Sequence, residues 1–143
     1  MDREELMKIL PHRDCMLLLD EAYKTESGEA CGYYTVKGDE FFLKGHFPGY
    51  PVVPGVILCE MMAQSACVLF ADFDTEGKAP LYTGINNAKF RSSVFPGDKV
   101  RLECKLTRSF GPFYFVSGKA YVGEKLCAQG DFSFAIADLK SDN

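Results

Sequence analysis

The sequence predicts an α+β fold in which an antiparallel β-sheet is wrapped around one long central helix. Three observations predict it: a nearly uncharged segment of helix-forming residues runs from residue 56 to 71, four β-leaning segments follow it, and two precede it. A helix that is apolar on nearly all sides must be enclosed. A curved antiparallel sheet can enclose it while the other face of the sheet stays in water.

The elements before the long helix are short. Residues 2–10 are amphipathic and are followed by Pro11, which predicts a short helix that the proline ends. Two β-leaning segments, residues 16–25 and 29–37, come next, and the turn-forming pair Ser27-Gly28 separates them. These features predict a helix and then a pair of strands.

A loop rich in proline and glycine leads into the long helix. In HFPGYPVVPG (residues 46–55), Pro54 suits the first turn of a helix, where a missing N–H costs little. The helix is predicted to reach about Ala71 and to be followed by a loop, DFDTEGKAP. Four strands separated by turns are predicted after it, at residues 81–90, 99–109, 113–122 and 124–136.

Length and composition predict one globular domain over residues 1–143. The chain is 47% apolar and 25% charged, and its net charge of −4 argues against nucleic-acid binding by bulk electrostatics. The longest apolar run contains Glu60 and Gln64 and is short for a membrane span, and the N-terminus does not resemble a secretory signal. We therefore expect a cytoplasmic protein that binds neither nucleic acid nor membranes.

The cysteines and histidines give no pattern that is typical of a metal site. None of the six cysteines forms a CxxC pair, and the chain has only two histidines. We expect the cysteines to be reduced thiols in the core, and we expect no bound metal.

Glu60 is the one charged residue in the apolar helix. Gln64 lies one turn further on, where its side chain can hydrogen-bond the carboxyl. Apolar surroundings disfavour the charged form, so the pKa of this carboxyl should be raised, and a neutral carboxyl can act as a general acid. The alternative is a glutamate at a subunit interface or helix edge that pairs with a lysine.

The loop before the helix adds a candidate base and a candidate backbone donor. Its three prolines should hold one shape and present His46 and the first amides of the helix. Gly55 has no side chain, so a ligand carbonyl could approach its N–H closely, where the helix dipole favours negative charge. The other histidine, His12, is expected to be a structural residue bonded to the backbone.

The segment GHFPGYPVVPGVILCEMMAQSA (residues 45–66) resembles the active-site segment of bacterial 3-hydroxyacyl-[acyl-carrier-protein] dehydratases of the FabZ type. LPHRDCMLLLD (10–20) and YTGINNAKFRSSVFPGD (82–98) add to this resemblance, which extends over nearly the whole chain. The family has the hotdog fold, in which an antiparallel sheet wraps a central helix. The resemblance therefore implies the same architecture as the pattern of elements.

The resemblance also implies a reaction in type II fatty acid biosynthesis. Water is removed from a (3R)-3-hydroxyacyl thioester to give the trans-2-enoyl thioester, with His46 as base, Glu60 as acid, the Gly55 N–H as donor to the carbonyl and Gln64 orienting Glu60. The family's members form homodimers and often hexamers, and His46 and Glu60 are expected to meet across two chains. No cofactor is implied, because the thioester is carried on the phosphopantetheine of acyl carrier protein.

The carrier is acidic, so its docking surface should be locally basic, and Lys89 and Arg91 are candidates. They could equally belong to a solvated strand face. A glutamate at position 60, where the isomerising branch of the family typically has aspartate, favours the simple dehydratase. Two other functions stay open: a hotdog acyl thioesterase, and a module that binds acyl carrier protein without catalysis.

Overall fold

Six antiparallel strands form a single sheet in the computed structural model, which describes residues 1–71 and 77–138. The strand order is β1-β2-β4-β5-β6-β3. The strands are β1 (Glu21–Lys24), β2 (Ala30–Thr35), β3 (Lys78–Phe90), β4 (Lys99–Phe110), β5 (Phe113–Val122) and β6 (Lys125–Asp138). The two α-helices are α1 (Arg3–Leu6) and α2 (Gly55–Ala66). The predicted α+β class is confirmed.

The helix α2 lies against the sheet and contacts β2, β4, β5 and β6, and from Leu58 onward its residues are buried except for Glu60. Two glycines in the sheet allow this close packing. A Cβ at Gly118 would lie 3.2 Å from the Met62 sulfur, and a Cβ at Gly32 would collide with Oγ of Ser65. The absence of these side chains lets the helix approach the strands closely.

The predicted helices are correct in position and too long. α1 begins with a capping box, in which Asp2 and Glu5 satisfy each other's backbone amides, and it ends at Leu6 before Pro11 is reached. α2 begins at Gly55 after Pro54, as predicted, and ends at Ala66. A 3₁₀ turn, Cys67–Phe70, continues it. Residues 72–76 of the predicted loop lie outside the described residues.

The prediction of a strand over residues 16–25 is wrong in its first half. Only Glu21–Lys24 pairs with β2, and the preceding Leu17, Leu18 and Leu19 are buried in irregular chain. Side chains satisfy the backbone there: Arg3 donates to the carbonyls of Leu17 (3.1 Å) and Leu19 (2.9 Å), and Gln64 accepts from the Leu18 N–H (2.9 Å). For these three backbone groups, side-chain hydrogen bonds take the place of strand pairing.

The strand β3 is the edge of the sheet that contacts only β6. It is thirteen residues long, and most of it is exposed, including four large apolar side chains. These are Leu81, Tyr82, Ile85 and Phe90, each between 42% and 53% exposed. A long, apolar, unpaired edge is the form of strand that pairs with another chain.

Five of the six cysteines are buried free thiols, and Cys15 is exposed, which corrects the expectation that all six lie in the core. Cys15 belongs to a 3₁₀ turn, Asp14–Met16, on the surface. In residues 1–71 and 77–138, no three His, Cys, Asp or Glu side chains come together as a metal site. No helix in these same ranges is both long and apolar enough to cross a bilayer.

Candidate active site

Glu60 lies in the middle of α2 and lines a cavity of about 150 Å³. Its side chain is 19% exposed, so the carboxyl is largely buried but open to this space. The rest of the wall comes from α2 and the 3₁₀ turn after it, from β3, from β6 and from the segment before β1. It consists of His12, Ala63, Gln64, Cys67, Pro80, Leu81, Tyr82 and Phe134. The cavity therefore combines one carboxyl with a mostly apolar wall.

Two side chains contact the same oxygen of this carboxyl. Gln64 donates from Nε2 to Oε2 of Glu60 at 2.9 Å, so the predicted contact between these two residues is present. His12 places Nε2 3.1 Å from the same oxygen. The expectation that His12 is bonded to the backbone is therefore wrong, because its ring is turned toward α2.

The pKa of Glu60 is lowered, which reverses the expectation from sequence. Burial alone raises it, but hydrogen bonds from His12 and Gln64, the charge interaction with His12 and the nearby Tyr82 hydroxyl outweigh burial. Sequence reasoning counted the apolar neighbours on the helix and missed the donors that arrive from other elements. In this chain the carboxyl is ionised at neutral pH.

Gln64 holds three groups in place and is almost fully buried. Its Oε1 accepts from the Leu18 N–H, and its Nε2 donates both to Glu60 and to the Met16 carbonyl (2.8 Å). The amide thus connects the carboxyl to the segment that precedes β1. Since its donors and acceptor are all used, Gln64 can adopt only one orientation.

His46 lies in a different cavity, of about 560 Å³, between the loop before α2 and the end of β3. Its Nδ1 is 3.0 Å from the Val52 carbonyl, which can only accept a hydrogen bond. Nδ1 therefore carries the proton, and Nε2 keeps a free lone pair. A neutral imidazole in this tautomer can accept a proton, which is the property that a general base requires.

The N-terminus of α2 forms part of the same cavity. Gly55 is its first residue, and the helix N-terminus has backbone amides with no acceptor inside the helix. The Phe90 ring lies so close that a Cβ at Gly55 would be 2.7 Å from it. A side chain at position 55 would have to displace this ring, and Gly55 lines the same cavity as His46.

The single chain does not bring the predicted acid and base together. No residue lines both the cavity of Glu60 and the cavity of His46. Arg91 lines the cavity of His46, and both Arg91 and Lys89 are exposed. The predicted site residues thus form two groups, one around Glu60 and one around His46.

Comparison with known proteins decides the family. The pattern of the FabA-like domain matches residues 10–131. The 3-hydroxyacyl-[acyl-carrier-protein] dehydratase FabZ of Geotalea uraniireducens is 42% identical over 142 residues, which cover 96% of this chain and 98% of the relative. This chain belongs to the FabZ dehydratase family. The FabZ of Natranaerobius thermophilus, 40% identical with the same coverage, agrees with this assignment.

Solved structures show that this FabZ family member has the hotdog fold. The dehydratase heterocomplex ApeI:P from Xenorhabdus doucetiae matches with a TM-score of 0.78 at 20% identity, covering 92% of this chain and 90% of that one. The fluoroacetyl-CoA thioesterase FlK matches with a TM-score of 0.67 at 15% identity, covering 84% and 87%. Since dehydratases and thioesterases share this fold, the likeness of backbones does not choose between the two activities.

Proposed function

We propose that this chain is a 3-hydroxyacyl-[acyl-carrier-protein] dehydratase of type II fatty acid biosynthesis. It removes water from a (3R)-3-hydroxyacyl thioester and forms the trans-2-enoyl thioester. The observation that carries this proposal is the 42% identity to a FabZ dehydratase over nearly the full length of both chains. The proposal needs no cofactor, and it places the enzyme in the cytoplasm.

In the proposed reaction His46 is the base. Its Nε2 takes the proton from C2, and the electron pair of that C–H bond becomes the C2=C3 double bond. Negative charge grows on the thioester oxygen as the proton leaves, and the Gly55 N–H and the N-terminus of α2 stabilise it. Hydrogen bonding of Nδ1 to Val52 supports this role, because it leaves Nε2 as the accepting atom.

Glu60 is the proposed acid. The C3–O bond breaks, and the carboxyl gives its proton to the departing hydroxyl, which leaves as water. The carboxyl is ionised in the single chain, so it must be protonated before each dehydration. A bound acyl chain in the cavity excludes water, which favours the neutral acid.

The active site is proposed to lie between two subunits. The edges of β3 in two copies pair, and His46 of one chain meets Glu60 of the partner subunit. The separation of the two cavities and the apolar exposure of the β3 edge support this arrangement. Three such dimers form the hexamer, and acyl carrier protein docks beside the His46 cavity, where Lys89 and Arg91 are exposed.

The test is an assay with carrier-bound 3-hydroxyacyl and trans-2-enoyl thioesters, followed by mass spectrometry and by titration of free thiol. The protein should interconvert the two without releasing thiol. His46→Ala and Glu60→Gln should each lower the rate by about 10²–10⁴-fold, the usual contribution of one acid or base, and melting curves should show both variants folded at the assay temperature. Release of thiol would instead identify a thioesterase, and binding of carrier without turnover would identify a non-catalytic module.

A further inference from the structure

We propose that His12 is the positioning residue of the catalytic acid. Its Nε2–H anchors Oε2 of Glu60 and, with Gln64, reserves Oε1 for the proton that goes to the leaving hydroxyl. This inference rests on the proposed function for the role of Glu60 as acid. The contact between His12 and Glu60 can be tested independently of that role.

The geometry at the carboxyl assigns different tasks to its two oxygens. Nε2 of Gln64 and Nε2 of His12 lie 2.9 Å and 3.1 Å from Oε2. An sp² oxygen has two lone pairs, and two donors occupy both of them. A proton carried by this carboxyl is therefore on Oε1.

The surroundings of His12 set its tautomer. Nδ1 is buried and has no hydrogen-bond partner in the described part of the chain. A proton on Nδ1 would leave a buried N–H unpaired, so the neutral ring carries its proton on Nε2, facing the carboxyl. His12 is therefore a hydrogen-bond donor to Glu60 even when it is uncharged.

The chain around His12 holds the ring in place. Pro11 precedes it and restricts the backbone. The guanidinium of Arg13 donates to the carbonyls of Leu10 and His12, both at 2.8 Å, and to the Met7 carbonyl at 3.0 Å. The donor is thus supported by a fixed loop, which is what orientation of a catalytic group requires.

The other titratable groups beside Glu60 do not replace His12. They are Tyr82 and the thiols of Cys59 and Cys67. Tyr82 donates to the Cys59 carbonyl at 3.2 Å. Burial raises the pKa of Cys67 to about 12, and burial also raises the pKa of Cys59 and of Tyr82, so all three are neutral near pH 7. Among the described residues that contact this carboxyl, His12 is the one basic side chain.

Two variants of His12 test the inference. His12→Leu removes the donor, and His12→Gln keeps an N–H donor of similar reach. In His12→Leu we expect kcat to fall about tenfold to a hundredfold with little change in KM, the effect of losing one hydrogen bond to a charged group. His12→Gln should recover most of this loss, and melting curves should show that both variants are folded at the assay temperature.

A second measurement reads the carboxyl directly. Carbon NMR on protein with ¹³C-labelled glutamate, assigned with Glu60→Gln, follows the titration of Glu60 without any substrate. The pKa of Glu60 should rise in His12→Leu, because burial is then opposed by fewer donors, and should return toward the wild-type value in His12→Gln.

The two readouts separate the two proposals. If the NMR titration of Glu60 is the same in His12→Leu as in wild type, the inference is overturned, whatever the activity. If kcat falls equally in the Leu and Gln variants, loss of the hydrogen-bond donor is not the cause, and the positioning role is also overturned. If the titration shifts as expected but the enzyme does not dehydrate, the contact stands and the proposed function fails.

Discussion

The charge of Glu60 is decided by its contacts more than by its burial. The side chain lies in a mostly apolar wall, yet hydrogen bonds from two elements keep it ionised. Both donors use the same oxygen, and one of them, Gln64, is itself fixed by backbone groups of Met16 and Leu18. The pKa of this carboxyl is therefore set by the groups that hydrogen-bond it as well as by its burial.

Glu40 shows the same physics away from the active site and gives a pH-dependent prediction. Burial raises its pKa, but the Lys37 and Gly38 amides and the Tyr34 hydroxyl donate to it at 2.7–2.9 Å and lower the pKa below its ordinary 4.5. A lowered pKa in the folded state means that ionised Glu40 stabilises the fold above about pH 4.5. This stabilisation is lost as the pH falls through the folded-state pKa.

We expect Glu40→Gln to lower the free energy of unfolding at pH 7 by about 1–2 kcal/mol, because an amide cannot accept all three hydrogen bonds. The difference from wild type should shrink when both are measured below pH 4.5. Urea unfolding at several pH values measures it, with Asp39→Asn as control, since Asp39 is an exposed neighbour. A difference that is constant with pH would show that ionisation of Glu40 is not the cause.

At the scale of elements, the distance between α2 and β2 depends on Gly32. We expect Gly32→Ala to destabilise the protein by roughly 1–3 kcal/mol, because its Cβ would collide with Oγ of Ser65 and lie 3.1 Å from Leu19. Thermal and urea unfolding measure the loss.

Ser65→Ala is the matched control for this prediction. Its Oγ is buried and has no partner in the described residues, so removal of the hydroxyl should not destabilise the fold. In the double variant, Gly32→Ala should lower the free energy of unfolding by less than it does alone, because part of the collision is gone. If Gly32→Ala lowers the free energy of unfolding equally with and without Ser65→Ala, the close contact between these two residues is contradicted.

Local sequence predicted the elements that depend on local physics. Pro54 marked the start of α2, and the glycine-containing turns separated the last strands, because these residues restrict the backbone wherever they occur. The sequence could not show that Leu17–Leu19 would be irregular, since their backbone partners are Arg3 and Gln64. It could not show His12 beside Glu60 either, since forty-seven intervening residues carry no pattern that relates the two.

At the scale of the whole molecule, the exposed apolar edge of β3 supports the proposed pairing with a second copy. We expect Ile85→Glu to convert the proposed dimer to monomer, because it places a charge on the apolar edge, where two such charges would meet. Light scattering with size exclusion measures the mass. Lys105→Glu, an exposed charge reversal on β4, is the control and should leave the dimer intact.

Mixed dimers test whether the site spans two chains. Co-expression of His46→Ala with Glu60→Gln, each with a different tag, yields dimers in which one site has both wild-type residues and the other has neither. Random pairing should restore about a quarter of wild-type activity, because half of the dimers then have one intact site of two. Purified mixed dimers that stay inactive would show that the base and acid of one site belong to the same chain.

The amide of Gln64 joins the carboxyl of Glu60 to the segment that precedes β1. Residues 12–18 supply both an imidazole to the carboxyl and the backbone groups that hold its amide neighbour. This segment can take up the arrangement only after α2, which lies later in the sequence, has been made. Displacement of this segment from α2 would therefore remove the His12 contact from Glu60 and both backbone contacts from Gln64.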